Sequence, residues 1–370
     1  TPAILFSVII QMINTFQIFT EPWVLNRGGP NYASYTYALN VYMTAFREND
    51  FGLAMAQSWL LVVVILIVTL LLLRSSRSWV YYEGEKERGV AVLETARRRS
   101  WRGVPGYALQ YALLVAGLVF FVGPLLWLVS TMLKTQGESI VFPPSWIPNP
   151  ATLDAFRRLF TNLPMFPWWV ANSLCISLCA VAGTVLSASL VAFGFARTRA
   201  KSRGVLFIVL LATLMIPYQT TLIPLYILFK NIGWYNTWLP LIVPYFFAGP
   251  FYVFLFRQFF MTVPRDVDEA TVIDGGNAWT IYSRILLPMS VPVLITGGIF
   301  AFVFSWVDFL TPFIFLQSES KYTLSVGLQL LIGTQSQDYP ALAAGSFISL
   351  LPIAILYFFA QRYFMEGVVL

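Results

Sequence analysis

The side chains that most often perform chemistry in proteins are scarce in this sequence of 370 residues. It has no histidine, which excludes histidine-based metal sites and the Ser-His and Cys-His pairs of nucleophilic catalysis. Two cysteines, Cys175 and Cys179, lie four residues apart in an apolar run, where they share a helix face and act as small packing residues. No phosphate-binding loop of the Walker type occurs. The sequence therefore predicts no catalytic residue, no metal site and no cofactor.

Polar side chains inside apolar runs offer a different chemistry, which is contact with a passing solute. Amides both donate and accept hydrogen bonds, and an aromatic ring covers an apolar ring face. The candidates are Asn14, Thr15, Gln17, Trp306 and Asp308. Hydrogen bonding between helices is an equal alternative. For Asp308 we expect a place near the outer face of a membrane, because a carboxylate in the middle of a bilayer costs about 2.5 to 3.5 kcal/mol.

The elements that must position these residues are membrane spans. Apolar residues make up 58% of the chain, charged residues make up 11%, and the mean hydropathy is +0.71. Soluble domains carry about 25% charged residues, so the composition predicts an all-α, polytopic transmembrane bundle. About eight runs have the length of a span: 2–20, 52–73, 107–133, 166–195, 205–229, 238–260, 290–316 and 341–361.

One polar stretch, residues 261–288, interrupts the apolar runs with the pattern of two short helices. Acidic residues stand in the first turn of the first helix, and the pair Gly275-Gly276 is suited to end it in left-handed geometry. An amphipathic segment then leads to Pro288, where the chain turns into the next apolar run. Such a segment can lie along a membrane surface and present its polar side to a partner.

These residues resemble the signature loop of the permeases of ABC importers. The sequences Glu269-Ala270-Thr271 and Ile285-Leu286-Leu287-Pro288 match its spacing around Gly275, with Thr271 replacing the second alanine of the motif. The resemblance implies the fold of type I ABC importer permeases and a coupling helix that contacts a separate ATPase. The contact residues it implies are Asp268, Glu269, Ala270, Asp274, Gly275, Ile285 and Pro288.

The distribution of basic residues predicts the orientation. With the 261–288 loop in the cytoplasm, sixteen lysines and arginines lie on the cytoplasmic side and seven on the other. This bias follows the positive-inside rule and places both chain ends in the cytoplasm. The resemblance implies the cytoplasmic membrane of a prokaryote. The basic residues 97–99 then belong to a solvated linker near anionic headgroups and not to a nucleic-acid site.

The chain also repeats itself at an offset of 290 residues, which pairs Phe16 with Trp306, Phe19 with Phe309 and Pro22 with Pro312. After a short gap, Tyr35-Thr36 pairs with Tyr322-Thr323. Residues 1–85 resemble the C-terminal end of a first sugar permease, 86–105 read as a cytoplasmic linker, and 106–370 resemble a second, six-span permease. We therefore expect a fusion of two permeases that is truncated at its start.

The resemblance implies an importer of a carbohydrate, with a pair of ATPase subunits, an extracellular or periplasmic solute-binding protein, a partner permease and membrane lipid as partners. Asn14 and Thr15 fall where related permeases keep sugar-contacting positions. Transport of glycerol 3-phosphate is an alternative, because permeases of that kind share these motifs. An ion-coupled secondary transporter, which would need intramembrane acids and no coupling loop, and a membrane scaffold without transport remain as lesser alternatives.

Overall fold

The structure is a computed structural model, and it describes residues 11–12, 14–76, 103–216, 218–331 and 338–367. All regular elements in these ranges are helices, in agreement with the all-α prediction. The chain forms two compact units. Most of the predicted linker, including residues 97–99, the first ten residues and Leu370 lie outside the described ranges.

The larger unit comprises the described parts of Ser7–Arg74, Met165–Gln329 and Leu350–Leu370. Its first helices are α1 (Thr20–Asn26), α2 (Tyr37–Phe46) and α3 (Phe51–Ser76). They are followed, after the smaller unit, by α7 (Phe166–Arg197), α8 (Arg203–Ala212), α9 (Tyr218–Asn231), α10 (Leu239–Ile242) and α11 (Pro250–Thr262).

The remaining helices of this unit begin with those of the polar loop. They are α12 (Asp266–Ile273), α13 (Ala278–Thr280), a π-helix (Ile281–Leu286), α14 (Leu287–Met289), α15 (Val291–Val307), α16 (Leu310–Phe315) and α17 (Leu324–Gln329). Helix α18 (Tyr339–Gly367) begins in the smaller unit and ends in the larger one.

Helix α7 is the central element of the larger unit and packs against α11 and α15. Small residues recur every four positions along α7 at Ala180, Thr184, Ala188 and Ala192, and all four are buried, so they allow neighbouring helices to pack closely. Gly183 lies so close to the Phe246 ring that an added Cβ would stand 2.6 Å from it. Of the two cysteines predicted to pack, Cys179 is partly buried and Cys175 is exposed, so the prediction is wrong for Cys175 within this chain.

The described part of residues 14–74 belongs to the same compact unit as residues 165–329. Phe19, Trp23 and Leu39 are buried in one apolar cluster with Phe309 and Phe315. The Trp23 and Phe313 rings meet at 5.7 Å. The two parts of the sequence that repeat each other are therefore in direct contact.

The smaller unit contains α4 (Gly103–Met132), α5 (Gln136–Ser139), α6 (Asp154–Asn162) and the start of α18. An ion pair of 2.7 Å joins Arg158 of α6 to Asp338, directly before α18. The Asp338 carboxylate also accepts a hydrogen bond from the backbone N–H of Ala341, so it caps α18 while it binds Arg158.

Five described helices are long and apolar enough to cross a bilayer, and a sixth crossing results if one bent pair is counted. The bent pair runs from Ala278–Met289 into Val291–Val307 with an angle of 78°. Of the eight predicted runs, 2–20 lies largely outside the described residues, and 205–229 is interrupted by a 3₁₀ turn at Thr213–Met215. An apolar run thus does not always form one continuous helix.

Three prolines in the part of the chain before the polar loop begin helical segments. Pro240, Pro244 and Pro250 stand in the first turn of three successive short segments, where the missing N–H has no helical partner to lose. Pro224, in contrast, lies inside α9, where it removes one backbone hydrogen bond of the helix.

Candidate coupling site

The loop between α11 and α15 begins with α12, whose first turn carries Asp266, Asp268 and Glu269. Carboxylates at this end of a helix interact favourably with its dipole. The sequence places Pro264 at the first helical position, but the helix begins two residues later, after Arg265. The acidic turn is otherwise formed as predicted.

Two glycines end α12 for different physical reasons. Gly275 has a φ of 82°, which only glycine adopts at little cost, and its N–H donates to the Val272 carbonyl at 3.0 Å. Gly276 donates to the Thr271 carbonyl at 2.8 Å, which completes a Schellman motif. A Cβ added at Gly276 would stand 2.6 Å from the Thr271 side chain. The predicted glycine-ended helix is confirmed.

The second half of the loop starts with a capping box, in which Asn277 accepts from the Thr280 N–H at 3.0 Å and Thr280 accepts from the Asn277 N–H. The chain then widens into the π-helix, which turns Ile281, Tyr282 and Leu286 inward. The Tyr282 hydroxyl lies 2.8 Å from the Ser189 hydroxyl of α7 in a buried hydrogen bond. This half of the loop is therefore fixed to the membrane-spanning body.

An arginine at the end of α7 fixes the first half. The Arg197 guanidinium lies 3.3 Å from the Asp268 carboxylate, and it donates to the Val263 carbonyl at 2.9 Å. In return, Arg265 donates to the Ala196 carbonyl at 3.5 Å. The side chains of Arg197 and Asp268 are 7% and 17% exposed, so water screens their interaction little. Helix α12 is thus tied to the last turn of α7.

A cavity of about 510 Å³ lies between α12 and the end of α7. Its charged lining consists of Arg197, Arg199, Arg265, Asp268 and Glu269, and Ile281 supplies part of its apolar lining. A recess that combines charged groups of both signs with apolar walls is suited to receive a protein segment. Among the described residues, no cluster of three potential metal ligands occurs.

Exposed apolar side chains surround this recess. Ile273 is 85% exposed and Val272 is 58% exposed, although both belong to α12, and Trp279 is 63% exposed. A helix that faced only water would keep polar residues at such positions. The exposed side of the loop therefore has the composition of a contact surface.

The predicted contact residues divide into exposed and structural ones. Glu269, Ala270 and Asp274 are exposed, as a contact requires, and Pro288 is exposed at the bend before α15; Asp268 faces Arg197, and Ile285 is half-buried. Sequence reasoning missed Arg197, Val272 and Ile273. Two adjacent apolar residues in an acidic helix were the available signal for the last two, whereas the Arg197 pairing spans 71 positions and has no local signal.

The structure brings two of the five predicted path residues into one polar cluster. Gln17 accepts from the Tyr218 N–H at 3.4 Å, and the Tyr218 hydroxyl lies 2.9 Å from that of Thr311. The Asp308 carboxylate accepts from the Thr311 N–H at 3.2 Å. Gln17 and Asp308, which are far apart in sequence, are therefore connected through the backbone and side-chain groups of Tyr218 and Thr311.

The other three predicted path residues do not join this cluster. Thr15 donates to the Gln11 carbonyl one turn earlier in its own helix, at 2.8 Å, and Asn14 is exposed. Trp306 is buried and stacks on Phe302, with ring centroids 5.6 Å apart. Packing in the apolar core is therefore sufficient to explain why a large aromatic residue stands at position 306.

Curated proteins with similar sequences are transport permeases. The chain is 35% identical over 238 residues to the arabinooligosaccharides transport system permease protein AraQ of Halalkalibacterium halodurans, covering 64% of this chain and 84% of the relative. It is 32% identical over 276 residues to the probable ABC transporter permease protein YurM of Bacillus subtilis, covering 73% and 89%. It is 29% identical to the lactose transport system permease protein LacG of Rhizobium radiobacter, covering 75% and 98%.

A solved structure shares the fold. A bacterial ABC transporter involved in the import of the acidic polysaccharide alginate superposes with a TM-score of 0.65 at 18% identity, covering 72% of this chain and 98% of the other. The family model for the binding-protein-dependent transport system inner membrane component matches residues 177–368, slightly more than half of the chain. With its membrane spans, polar loop and permease relatives, this chain is a multi-pass membrane transport protein, not an enzyme, and it belongs to the family of binding-protein-dependent transport system inner membrane components.

Proposed function

We propose that this chain is a membrane-spanning component of an ABC importer that moves a carbohydrate across the cytoplasmic membrane of a prokaryote, with ATP hydrolysed by separate ATPase subunits. The exposed side of α12 carries this proposal. Ile273 and Val272 are exposed beside Glu269 at the rim of the recess, on a loop whose other side is fixed to α7. An ATPase subunit is the partner that would cover this surface.

The contacts of Arg197 give this helix a direct mechanical connection to a membrane span. When the ATPase moves α12, the pair Arg197–Asp268 and the hydrogen bond to Val263 transmit the displacement to the end of α7. One Asp268 oxygen and the Arg197 Nε are buried without a hydrogen-bond partner in the described part of the chain. The hydrogen-bonding capacity of this ion pair is therefore not fully used, which suits a contact that must rearrange during transport.

The relatives support a carbohydrate as the cargo. Besides arabinooligosaccharides and lactose, their names specify diacetylchitobiose and sulfoquinovosyl glycerol, all of which carry a sugar unit. We assign the first contacts on the path to the cluster of Gln17 and Asp308, because amide and carboxylate groups pair with sugar hydroxyls. Asn14, Thr15 and Trp306 are additional candidate positions on this path.

The proposed assembly needs further partners. An ATPase dimer would bind on the cytoplasmic side, where the excess of basic residues places the 261–288 loop. A solute-binding protein would deliver the sugar on the other side, and a partner permease would complete the second half of the path. Membrane lipid surrounds the spans.

Substitution of Ile273 tests the proposed ATPase contact. In the complete transporter, Ile273→Lys should weaken ATPase association about tenfold or more, because an apolar contact worth about 1.5 to 3 kcal/mol is lost. Lysine near the end of a helix is favourable for the dipole, so α12 itself should persist. Co-purification and surface-binding measurements of the ATPase, together with sugar uptake, give the result.

Two variants serve as controls. Leu25 is 81% exposed in the last turn of α1, so Leu25→Lys makes the same chemical change at a similar site and should leave ATPase binding unchanged. Ile273→Leu should also retain binding. Wild-type association and uptake in Ile273→Lys and in Glu269→Lys together would disprove the coupling role of this loop.

A further inference from the structure

The segment that follows α4 and α5 in the smaller unit exposes an unusual amount of apolar surface. Residues 140–150, called the uncharged loop below, contain no charged side chain. Its five large apolar side chains are all exposed: Phe142 at 91%, Ile147 at 82%, Ile140 at 69%, Trp146 at 62% and Val141 at 58%. In water this surface would be unfavourable, so its exposure needs an explanation.

The uncharged loop is fixed in place by polar residues just before it. Ser130 donates to the Trp146 carbonyl, and buried Lys134 donates to the Ser145 carbonyl. The Glu138 carboxylate accepts from the Ser145 hydroxyl at 2.8 Å and from the Asn149 N–H at 3.1 Å. Four polar groups of the loop are thus hydrogen-bonded to residues that precede it, while its large apolar side chains are left exposed.

The apolar surface of the loop is continuous with that of a membrane span. Helix α4 contains the span Tyr111–Met132, which is long and apolar enough to cross a bilayer. The Trp127 ring near the end of this span meets the Trp146 ring of the loop at 5.0 Å. Lys134 lies 4.1 Å above the Trp127 ring. Tryptophan and lysine at a span end are typical of the membrane interface.

We propose that the uncharged loop is a lipid-binding anchor, inserted into the interface of the leaflet that the end of α4 reaches. Phe142 and Ile147 enter the boundary between headgroups and acyl chains, and Trp146 lies at headgroup level. The absence of charge in the loop means that its insertion does not depend on anionic lipid. The anchor holds the smaller unit at a fixed depth in the membrane.

Depth measurements with spin labels test this proposal. The complete transporter, with Cys175→Ala and Cys179→Ala, is reconstituted into phosphatidylcholine vesicles after labelling Phe142→Cys or Ile147→Cys. Both positions are almost fully exposed, so labels there should not disturb folding. Leu126→Cys on the span surface is the lipid control, and Asp154→Cys at the start of α6 is the aqueous control.

For each label we compare the collision rate with oxygen to the collision rate with a water-soluble nickel complex. This ratio should be at least about twice as large for labels at 142 and 147 as for the label at position 154. Collision ratios equal to that of the aqueous control would overturn the proposal. So would labels shielded from both reagents, because a second copy or another protein would then cover the loop. Shielding that occurs only after addition of the solute-binding protein would instead assign the loop to protein docking.

Fluorescence provides a second measurement that needs no label. Brominated lipids quench tryptophans that contact them, and Trp146→Phe should remove a quenchable contribution if the loop is inserted. The same substitution in Trp169, which is fully buried, should leave the amount of quenched fluorescence unchanged. An equal effect of both substitutions would contradict insertion of Trp146.

Discussion

The segments 16–46 and 306–329 are two versions of one local structure within the same molecule. Phe19 directly precedes α1 and Phe309 directly precedes α16, and both rings are buried. Each carbonyl accepts from the N–H four residues later, from Trp23 at 3.1 Å and from Phe313 at 3.0 Å. The repeat predicted from sequence therefore extends to backbone geometry.

A second contact recurs in both copies. The Thr36 hydroxyl donates to the Ile18 carbonyl at 2.8 Å in the first copy. The Ser325 hydroxyl donates to the Asp308 carbonyl at 2.6 Å in the second. Ile18 and Asp308 are equivalent at the offset of 290. In each copy, the equivalent backbone carbonyl therefore accepts a hydrogen bond from a hydroxyl at the start of a later α-helix, which is α2 in the first copy and α17 in the second.

The two copies differ in side-chain chemistry at that shared position. Ile18 has no group that could cap a helix, whereas the Asp308 carboxylate accepts from the Thr311 N–H. Phe16 is 37% exposed, and its equivalent Trp306 is 2% exposed. The two copies thus share a backbone conformation, but the second copy has a polar side chain at position 308 and a buried ring at position 306, whereas the first has an apolar side chain at 18 and a more exposed ring at 16.

The largest effect should come from removing the buried ring that both copies share. Phe19→Ala and Phe309→Ala each open a cavity in the same apolar cluster, and each should lower the free energy of unfolding by about 3 kcal/mol or more. Phe16→Ala, at the exposed position, is the matched control and should cost well under that. Denaturant titration of the detergent-solubilised protein measures the free energy of unfolding of all three variants.

A large loss for Phe309→Ala alone would break the comparison, since it would mean that the first copy packs loosely. The Trp23–Phe313 ring contact also predicts that the two alanine substitutions are coupled. Their double variant should therefore differ from the sum of the single effects by more than about 0.5 kcal/mol.

Much of this fold was predictable because its signals are local. The offset between the copies, the apolar runs and the glycines that end α12 could all be identified in the sequence. The path of the backbone through residues 205–229 could not, since hydropathy measures the preference of a segment for lipid and not its continuity. There the chain forms α8, a 3₁₀ turn and α9 in succession.

The candidate site was predictable to a lesser degree. The positions of Glu269 and Gly275 follow from motif spacing, but the tie between Arg197 and Asp268 depends on how α7 and α12 pack. The exposure of Ile273 likewise depends on which face of α12 meets the body of the protein. Asp308 was predicted as a path residue near the outer face of a membrane, and its contact with Thr311 adds a structural role as a cap.

An intermediate loss of stability is expected when the hydroxyls that donate to the Ile18 and Asp308 carbonyls are removed. Thr36→Val removes the bond to Ile18 and also the cap of α2, where Thr36 accepts from the Leu39 N–H at 3.3 Å, so it should cost about 1 to 2 kcal/mol. Ser325→Ala removes the bond to Asp308 and should cost about 1 kcal/mol. Equal costs in denaturant titrations would indicate that the Thr36 cap contributes nothing.

The smallest effect should come from Asp308, and it separates a capping role from a charge-dependent role in transport. Asp308→Asn keeps an oxygen that can accept from the Thr311 N–H, so stability should change by less than about 0.5 kcal/mol, whereas Asp308→Ala should lose about 1 kcal/mol. Sugar uptake provides the second readout. If the carboxylate only caps α16, Asn should retain uptake and Ala should reduce it in proportion to the loss of folded protein. Full stability with abolished uptake in Asp308→Asn would show that the charge itself acts on the path, a function that Ile18 in the first copy cannot share.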